Sequence, residues 1–274
     1  MLYTYEEVIL LWHEGGTAMK RQDRRQGIVD LLIEEGSLSL DDLAQRFSVS
    51  KMTIHRDLDD LEGEGLIRKQ RGGATIEPSA QFESDFRFRT RKAAGEKRDI
   101  ARRAARLVEP GMSVLLDDSS TSRAIVPFLT ERRPLTVITN NLAAMDALGG
   151  HAGITLIALG GTYSRKFNGF FGILTEAALA GLCADIALMS SSSILGTTVF
   201  HQDQEVIDVK RGMIASGARC YLMADHEKFG RTALHRVAEL DAFDGLVTSD
   251  RTPPDLLDMV REQAIEVIVA QGGD

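Results

Sequence analysis

One short stretch of the sequence concentrates hydroxyl and carboxylate groups that could bind or transform a ligand. Asp117 and Asp118 are followed by four hydroxyl side chains, those of Ser119, Ser120, Thr121 and Ser122. The stretch follows a short apolar run and leads into a predicted helix. Because the first N–H groups of a helix are exposed and partially positive, hydroxyls beside them can form a phosphate cradle. A simple Ser/Thr helix cap would give the same pattern, so both interpretations stay open.

Five other polar or glycine-rich segments follow predicted strands or lie early in a predicted helix. They are Thr139–Asn141, Gly160–Gly161, Ser190–Ser193 with Gly196–Thr198, Lys210–Arg211 and Asp225–Gly230. Each segment alone could be an ordinary turn. Ligands of open α/β sheets bind at the carboxyl ends of strands, so six such segments on one edge favour a ligand pocket. We expect Asp117 to orient ligand hydroxyls and the hydroxyls of 119–122 to hold a phosphate. The residues expected to complete the pocket are Asn140, Gly160, Gly161, Lys210 and Lys228.

The same carboxylates and amines could instead catalyse aldose–ketose isomerisation. That reaction needs a carboxylate base near the C1–C2 bond and a cationic or hydrogen-bonding group on the oxygens. Asp117, Glu205 and Asp208 are candidate bases, and Lys210 and Lys228 are candidate electrophiles. Since any domain of this size offers such pairs, we favour binding without catalysis and predict that the protein is not an enzyme.

A second group of residues, near the N-terminus, suits contact with duplex DNA. A helix is predicted from Lys51 to about Glu64, in which Ile54, Leu58 and Leu61 fall at i, i+4 and i+7 and form a buried stripe. A short amphipathic helix with polar and cationic side chains in its first turns fits the major groove. The predicted contacts on this helix are Ser50, Lys51, Thr53, His55 and Arg56.

A second predicted helix and a basic hairpin flank this one. Ser39 caps a helix from Leu40 to Phe47, and Ser48-Val49 makes the turn to the next helix. After Gly65 the apolar period changes to two, and Gly72-Gly73 turns the chain back. The predicted phosphate contacts on this hairpin are Arg68, Lys69 and Arg71. A pair of helices packed in a core is the alternative, but the order helix, turn, helix, basic hairpin favours a winged helix-turn-helix.

From Glu96 onward, short apolar runs alternate with helical patterns. The predicted strands are Ser113–Leu116, Leu135–Thr139, Ile154–Leu159, Ile186–Met189, Arg219–Ala224, Gly245–Thr248 and Glu266–Val269. Helices are predicted between them, and the first runs from Glu96 to Val108. Such alternation is typical of a parallel sheet covered by helices on both faces. The predicted fold class is therefore α/β, with a Rossmann-like parallel-sheet domain behind the winged helix-turn-helix.

The 274 residues are enough for two domains with separate cores. Residues 19–76 are predicted to be the DNA-binding domain and residues 96–274 the α/β domain. Residues 77–95 are polar and are predicted to be a linker. Its aromatic residues, Phe82, Phe86 and Phe88, are expected to dock the two domains or to pack across a dimer. Residues 1–18 fit neither domain and are predicted to be an N-terminal extension, with translation starting at or near Met19.

The net charge of −8 argues against a generally basic nucleic-acid coat. Basic residues nevertheless gather locally, and such clusters matter more than the sum for phosphate contact. One cluster, before the first predicted helix, comprises Lys20, Arg21, Arg24 and Arg25. The apolar run Val8–Trp12 is too short to span a membrane, and Glu6 and Glu7 precede it where a signal peptide would be positive. We expect a cytoplasmic protein with no membrane partner.

The sequence lacks the motifs of several other chemistries. No GxGxxG, GxxxxGK[ST] or GxSxG motif occurs, which argues against nucleotide binding and serine hydrolysis. Cys183 and Cys220 have neither CxxC spacing nor a nearby histidine pattern. The histidines are scattered and are expected at the surface or at DNA: His13, His55, His151, His201, His226 and His235. We therefore predict neither a cofactor nor a metal.

Several of these segments resemble DeoR-type bacterial transcriptional regulators. The matching segments are Val49–Leu58, Arg71–Ala74, Glu96–Ala101, Thr136–Leu142, Leu159–Gly161 and Ala224–Gly230. Two departures stand out. The family usually has Arg where this chain has His55, and its first sensor loop usually reads Asp-x-Gly-Thr-Thr. In this chain Ser119 and Ser120 replace the Gly and the first Thr, while Thr121 keeps the second.

The resemblance implies a winged helix-turn-helix joined to a sugar-phosphate-binding domain similar in fold to ribose-5-phosphate isomerase. It implies a DNA-binding transcriptional regulator, a repressor of a carbohydrate catabolism operon that a phosphorylated sugar releases from DNA. The expected partners are duplex operator DNA, the sugar phosphate and further copies of the chain, because one recognition helix covers too few base pairs for a genomic address. The alternative is an isomerase-like enzyme with an added DNA-binding domain.

Overall fold

A computed structural model describes residues 20–76 and 85–272 of the chain. The chain divides into two units, Met1–Glu83 and Ser84–Asp274. In the first unit the helices are α1 (Arg21–Glu35), α2 (Leu40–Arg46) and α3 (Lys51–Gly63), and the strands are β1 (Ser37–Ser39), β2 (Ile67–Gln70) and β3 (Gly73–Ile76). This is the order of a winged helix-turn-helix, as the sequence predicts.

Local sequence accounts for the helix pair. The Ser39 hydroxyl accepts the N–H of Asp42, whose carboxylate accepts the Ser39 N–H in return, so α2 begins with a capping box. The Ser50 hydroxyl accepts the N–H of Thr53 and begins α3. The predicted apolar stripe of α3 is buried: Ile54 and Leu58 are 0% exposed and Leu61 is 2% exposed. That stripe fixes which face of α3 points outward.

The hairpin β2–β3 is extended by a third strand that the sequence pattern does not predict. β1 pairs with β3 in antiparallel register, with Ser39 opposite Gly73. A Cβ atom at Gly73 would lie 2.2 Å from the carbonyl oxygen of Leu38, so this position requires glycine. Because β1 has only three residues, it carries too short an alternation to be recognised in the sequence.

The second unit is built on one seven-stranded parallel sheet. Its strands are β4 (Ser113–Leu116), β5 (Leu135–Thr139), β6 (Ile154–Ala158), β9 (Ile186–Met189), β12 (Cys220–Ala224), β14 (Gly245–Ser249) and β15 (Glu266–Ala270). The order across the sheet is β15-β14-β12-β9-β4-β5-β6, and every neighbouring pair is parallel. The predicted α/β parallel-sheet class is confirmed, and the strand bounds agree to within one residue.

Helices cover both faces of this sheet. They are α4 (Phe86–Arg91), α5 (Ala94–Ala105), α6 (Ser120–Leu129), α7 (Leu142–Leu148), α8 (Ile173–Ala180), α9 (Gln204–Ser216) and α10 (Pro254–Arg261). Two hydrophobic clusters result, one on each face. In β4, Leu115 belongs to one cluster, while Val114 and Leu116 belong to the other. This alternation is the expected result of burying a parallel strand on both sides.

Two smaller antiparallel sheets accompany the seven-stranded sheet, and the sequence pattern does not predict them. β7 (Thr162–Ser164) and β8 (Gly169–Phe171) form a hairpin. β10 (Ser193–Leu195), β11 (Thr198–His201) and β13 (His235–Glu239) form a three-stranded sheet. These strands have three to five residues each, too few to show a clear period of two. Both additions lie among the loops that border the candidate site.

Part of the predicted linker is ordered within the second unit. Asp85 caps α4 by accepting the Arg87 N–H, and the Phe86 N–H donates a 2.8 Å hydrogen bond to the carbonyl of Lys166. Phe86 is buried, at 7% exposure, among residues of its own unit. The predicted docking of the two domains through Phe82, Phe86 and Phe88 remains a prediction, since Phe82 lies outside the described residues.

Candidate functional site

The strand order of the large sheet reverses at β4. The chain runs outward from β4 through β5 to β6 and then returns to β9 on the other side of β4. The carboxyl ends of β4 and β9 therefore open a crevice, which is where ligands bind in open α/β sheets. The loop after β4 and the loop after β9 border it. The Ser190 N–H donates a 2.9 Å hydrogen bond to Asp117 Oδ2 and ties these two loops together.

Asp117 and Lys210 form a buried ion pair at the base of this crevice, with exposures of 0% and 2%. Asp117 also accepts hydrogen bonds from the Ser119 N–H (3.1 Å) and the Ser122 hydroxyl (2.5 Å). Burial opposes the charge on both groups, but their attraction outweighs it, lowering the pKa of Asp117 and raising that of Lys210. With Ser190 and Lys210 on its second oxygen, Asp117 has protein donors at all of its roughly four acceptor positions. In this arrangement Asp117 anchors the loops, and no acceptor position is left for ligand hydroxyls.

The hydroxyl-rich loop forms the start of α6, as its sequence suggests. Ser119 is the N-cap, and its hydroxyl accepts a 2.9 Å hydrogen bond from the Ser122 N–H. The remaining first-turn amides, those of Ser120 and Thr121, have no intrahelical acceptor and carry the positive end of the helix dipole. The helix-cap interpretation is confirmed for Ser119. Ser119, Ser120 and Thr121 also line a cavity, so the phosphate cradle stays a prediction.

The cavity at this helix start is lined by hydroxyl groups and by four basic side chains. The space between these side chains is about 240 Å³, a figure that includes open solvent. The basic lining residues are Arg89, His201, Lys210 and Lys228, and the hydroxyl-bearing ones are Ser119, Ser120, Thr121, Ser190 and Ser191. No carboxylate of the described residues belongs to this lining. Cations, hydroxyls and helix N-termini are the groups that bind anions in proteins.

Three of the four basic groups of the cavity, Lys228, Arg89 and His201, are held in an environment that disfavours their charge. Burial lowers the pKa of Lys228. The nearby Asp225 carboxylate opposes this effect and the Arg89 charge adds to it, so the pKa is lowered overall. Burial also lowers the pKa of Arg89, against the opposing attraction of Asp118. Burial and the Lys210 charge lower the pKa of His201 well below its usual range, so this ring is neutral at pH 7. A bound anion would relieve the crowding of Arg89 and Lys228.

Lys97 connects the hydroxyl loop to the end of α4. Its Nζ donates to the Ser120 hydroxyl (3.1 Å), to the carbonyl of Lys92 (2.8 Å) and to the carbonyl of Arg89 (2.5 Å). Burial and the nearby Lys228 lower its pKa to about 7. Lys97 therefore exchanges its proton near neutral pH while it positions the loop.

Glu96 holds the loop that carries Lys228. Its carboxylate, 6% exposed, accepts 2.8 Å hydrogen bonds from the N–H and the ring nitrogen of His226, and it also accepts the Ser249 hydroxyl. Because His226 lies two residues from Lys228, the contact links the start of α5 to the cavity wall.

Five of the predicted effector residues lie outside the cavity lining. Asp117 and Ser122 bind each other within the loop after β4, and the other three follow the next two strands. The Asn140 side chain donates a 3.0 Å hydrogen bond to the carbonyl of Phe170. The Gly160 carbonyl accepts a 2.7 Å hydrogen bond from the Thr175 hydroxyl. A Cβ atom at Gly161 would come within 2.3 Å of that hydroxyl oxygen, so the glycine permits close packing of the chain there. These last three residues follow β5 and β6, which lie on the far side of β4 from β9.

Other residues of the site were missed or placed differently by sequence reasoning. Arg89 belongs to the predicted linker, and nothing in its local pattern indicates a ligand contact. His201 was expected at the surface but is 3% exposed and lines the cavity. Lys210 was expected early in a helix but is the seventh residue of α9, where its length lets it reach Asp117. The hydroxyl run Ser190–Ser193, which does signal a strand end, contributes its first two residues to the lining.

The predicted DNA contacts lie on α3 and the β2–β3 hairpin, and none is buried. Lys51 forms an ion pair with Asp41, and Lys69 forms one with Asp59 at the base of the hairpin. The Lys69 N–H also donates a 2.7 Å hydrogen bond to Glu62, which fastens the hairpin to α3. Arg56, Arg68 and Arg71 are exposed. Surface ion pairs contribute little to stability, so those of Lys51 and Lys69 can be exchanged for phosphate contacts.

Arg24 differs from the other members of the predicted basic cluster. Its guanidinium is buried and binds Asp57 of α3 through two hydrogen bonds, at 2.6 and 3.1 Å. Asp57 is 1% exposed. Arg24 therefore fastens α1 to the recognition helix and is not available for phosphate contact. Its partner is the acidic residue directly after Arg56, which the sequence pattern alone does not identify.

Two further findings concern residues 20–76 and 85–272. Within them, no group of three or more His, Cys, Asp or Glu side chains is arranged to hold a metal ion. No helix in these ranges combines the length and apolar character needed to cross a bilayer.

Sequence comparison identifies both units. The DeoR-like helix-turn-helix domain matches residues 24–80, and the DeoR C terminal sensor domain matches residues 92–250. The HTH-type transcriptional regulator IolR of Bacillus subtilis (strain 168) is 32% identical over 252 residues, which cover 90% of this chain and 98% of that protein. The glycerol-3-phosphate regulon repressor of Haemophilus influenzae is 31% identical, covering 93% and 99%.

Other relatives differ in the direction of regulation. The L-fucose operon activator of Haemophilus influenzae is 33% identical over 241 residues, covering 88% of this chain and 96% of that protein. Among solved structures, ribose 5-phosphate isomerase A of Methanocaldococcus jannaschii is similar over 50% of this chain and 55% of its own, with 17% identity and a TM-score of 0.38. On the matches to both domains and to full-length relatives, the chain belongs to the DeoR family of DNA-binding transcriptional regulators.

Proposed function

We propose that this regulator binds operator DNA through α3 and the β2–β3 hairpin and that a phosphorylated sugar in the second unit releases it. The observation that carries the effector proposal is the cavity at the start of α6. It joins a helix N-terminus, hydroxyl groups and the cations Arg89, Lys210 and Lys228. A phosphate group has the charge and the acceptor oxygens that such a lining binds best.

The proposed role is repression of a carbohydrate catabolism operon. The relatives include a glycerol-3-phosphate regulon repressor and an L-fucose operon activator, and both names concern carbohydrate or polyol metabolism. Release requires that the ligand bind more tightly to a conformation with low DNA affinity, because equal binding to both states would shift nothing. The proposed site of action is the cytoplasm, where operator DNA lies.

We also propose that the cavity binds its ligand without converting it. Isomerisation needs a carboxylate base beside the substrate. Asp117 is occupied by protein donors, Glu205 is exposed and Asp208 is half-buried on α9, and none of the three lines the cavity. The position of these three candidate bases outside the lining supports sensing over catalysis.

A homo-oligomer completes the proposal. A single recognition helix reads only a few base pairs, so a two-fold assembly on repeated half-sites is needed for a specific address. Analytical sedimentation at micromolar concentration, with and without operator DNA, tests this point. A monomer under both conditions would contradict it.

The decisive experiment is a thermal-shift screen followed by DNA release. The protein is mixed with D-ribose 5-phosphate, D-glucose 6-phosphate, D-fructose 1-phosphate or glycerol 3-phosphate, and in parallel with the unphosphorylated compounds. We expect at least one phosphorylated compound to raise Tm and to release labelled DNA from the region upstream of the protein's own gene. Unphosphorylated sugars should do neither, since the phosphate supplies the charge-assisted contacts. Stabilisation by free sugars alone would refute the effector proposal.

A further inference from the structure

Asp118 is a buried carboxylate without hydrogen-bond partners. It is 1% exposed, and neither Oδ1 nor Oδ2 has a partner among the described residues. Its charged neighbours are Lys210 Nζ, 3.4 Å from Oδ1, and Arg89 Nη2, 3.8 Å from Oδ2. Buried polar atoms are normally hydrogen-bonded, so two open acceptors on one buried carboxylate call for an explanation.

The neighbouring Asp117 shows what a purely structural carboxylate looks like in this fold. Donors from Ser119, Ser122, Ser190 and Lys210 fill both of its oxygens. Asp118 shares Lys210 but gains none of the other donors. A carboxylate whose only function was to neutralise Lys210 would duplicate Asp117, which already does so at closer range.

Arg89 connects Asp118 to the cavity. Its guanidinium lines the cavity, while its Nε and Nη2 atoms have no hydrogen-bond partner in the described residues. The rings of Phe86 and Phe167 flank it, each 5.7 Å from its central carbon. Among the described residues, a long ion pair to Asp118 and the two ring contacts hold the group, which leaves these two nitrogens open to a phosphate.

The opposite side of Asp118 is closed. A Cβ atom at Gly169 would lie 3.3 Å from the Asp118 Cβ and 3.0 Å from the carbonyl oxygen of Asn140, so the β7–β8 hairpin packs directly against this point. Asn140 Oδ1, in the adjoining loop, is also an open acceptor. Behind Arg89 and Lys210, which line the cavity, Asp118 therefore offers acceptors that have no donors among the described residues.

From this arrangement we infer that Asp118 is the specificity-determining residue that accepts hydroxyl hydrogen bonds from the polyol part of the effector. The inference rests on the proposed function, and it assigns the two ends of the ligand. The phosphate takes Arg89 as its counter-ion, and Asp118, released from Arg89, accepts hydroxyl donors of the sugar. A phosphate without hydroxyls would instead stand near a buried carboxylate that has no donors, which is repulsive.

Comparing two ligands on two proteins tests the inference. The wild type and the isosteric variant Asp118→Asn are titrated calorimetrically with the tightest-binding sugar phosphate of the screen and with methyl phosphate, a monoester that lacks hydroxyls. We expect Asp118→Asn to weaken sugar-phosphate binding at least tenfold and to leave methyl phosphate binding equal or tighter, because a negative charge has been removed. Arg89→Met should weaken both ligands alike, and the exposed control Asp146→Asn should change neither.

Each result decides the inference. If Asp118→Asn changes both affinities by the same factor, Asp118 is only a counter-ion and the inference is wrong, while the proposed function stands. If the wild type binds methyl phosphate as tightly as every sugar phosphate, hydroxyl recognition is absent, and this outcome needs no variant to fold. If the wild type binds no sugar phosphate at all, the proposed effector fails and the inference falls with it.

Discussion

Asp117, in the loop after β4, is joined to Lys210, in the middle of α9, by an ion pair that excludes solvent almost completely. The pair spans 93 residues of sequence and crosses the point where the strand order reverses. It fixes the two borders of the crevice relative to each other. The cavity is therefore shaped before any ligand arrives, which limits the ordering that binding must supply.

Replacing Lys210 should destabilise the second unit strongly. Lys210→Met leaves Asp117 buried without its main counter-ion, and we expect a loss of about 3–5 kcal/mol in the free energy of unfolding. Lys228→Met is the matched control, because Lys228 lines the same cavity and its charge is disfavoured by burial. Urea unfolding at pH 7 measures both. Equal losses in the two variants would contradict the anchoring role of Lys210.

Ligand binding should take up protons near neutral pH. The folded-state pKa of Lys97 is about 7, below its ordinary value of 10.5. A nearby phosphate favours the charged amine and raises this pKa, so binding at pH 8 should be accompanied by proton uptake. Calorimetry in two buffers with different ionisation enthalpies reveals it, and Lys97→Met should reduce it. Identical enthalpies in both buffers would argue against a phosphate beside this amine.

The same depressed pKa makes a signed prediction for stability without ligand. Between pH 7 and 10.5 the unfolded chain holds the Lys97 proton more firmly than the folded chain does. The contribution of Lys97 to stability therefore rises with pH across this window and is constant below it. The difference in unfolding free energy between wild type and Lys97→Met should follow that trend in guanidinium titrations from pH 6 to 10. A pH-independent difference would show that the amine titrates normally.

One arginine variant and one lysine variant should distinguish base recognition from phosphate contact. Arg56→Ala should weaken specific DNA binding by about 1–3 kcal/mol if Arg56 reads a base edge. Lys69→Ala should weaken all sequences alike and reduce the salt dependence of binding. Fluorescence anisotropy on upstream and scrambled duplexes, at several salt concentrations, distinguishes them. Arg261→Ala removes an exposed charge from α10 and serves as control. Wild-type behaviour of both variants would refute the assignment.

The buried pair between α1 and α3 should dominate the stability of the first unit. Asp57→Ala leaves Arg24 without its partner, with an expected loss of about 3–5 kcal/mol. Asp60→Ala removes a partly exposed partner of Arg21 and should cost less than about 1 kcal/mol. Thermal unfolding followed by circular dichroism compares the two. Similar shifts in Tm would mean that burial of the Arg24–Asp57 pair adds little to the stability of the first unit.

Much of the fold was predictable because its signals are local. Caps at Ser39 and Ser50 and the stripe through Ile54 mark the helix pair within about 25 residues. The parallel strands are continuous apolar runs such as Ile186–Met189, whose bounds agree with the prediction. The strand order was not predicted, and its reversal at β4 brings the hydroxyl loop to the crevice.

The remainder of the site depends on contacts that no local pattern encodes. Arg89 reaches the cavity because α4 docks through Phe86 onto Lys166, which lies 80 residues further along the chain. His201 is buried at the end of β11, a strand of four residues that is too short to be predicted. Asp117 and Asp118 are neighbours of the same type, and only their surroundings reveal that one is saturated with donors while the other is open.

The attachment of Arg24 to Asp57 also bears on how regulators of this kind can diverge. Asp57 holds α3 from its inner side, while the adjacent Arg56 is exposed. Anchoring and base reading are thus divided between consecutive residues of one helix. Substitutions at exposed positions of α3 alter stability by only a few tenths of a kcal/mol as a rule. Operator preference can therefore drift through the outer residues over evolutionary time while the inner ones preserve a folded domain.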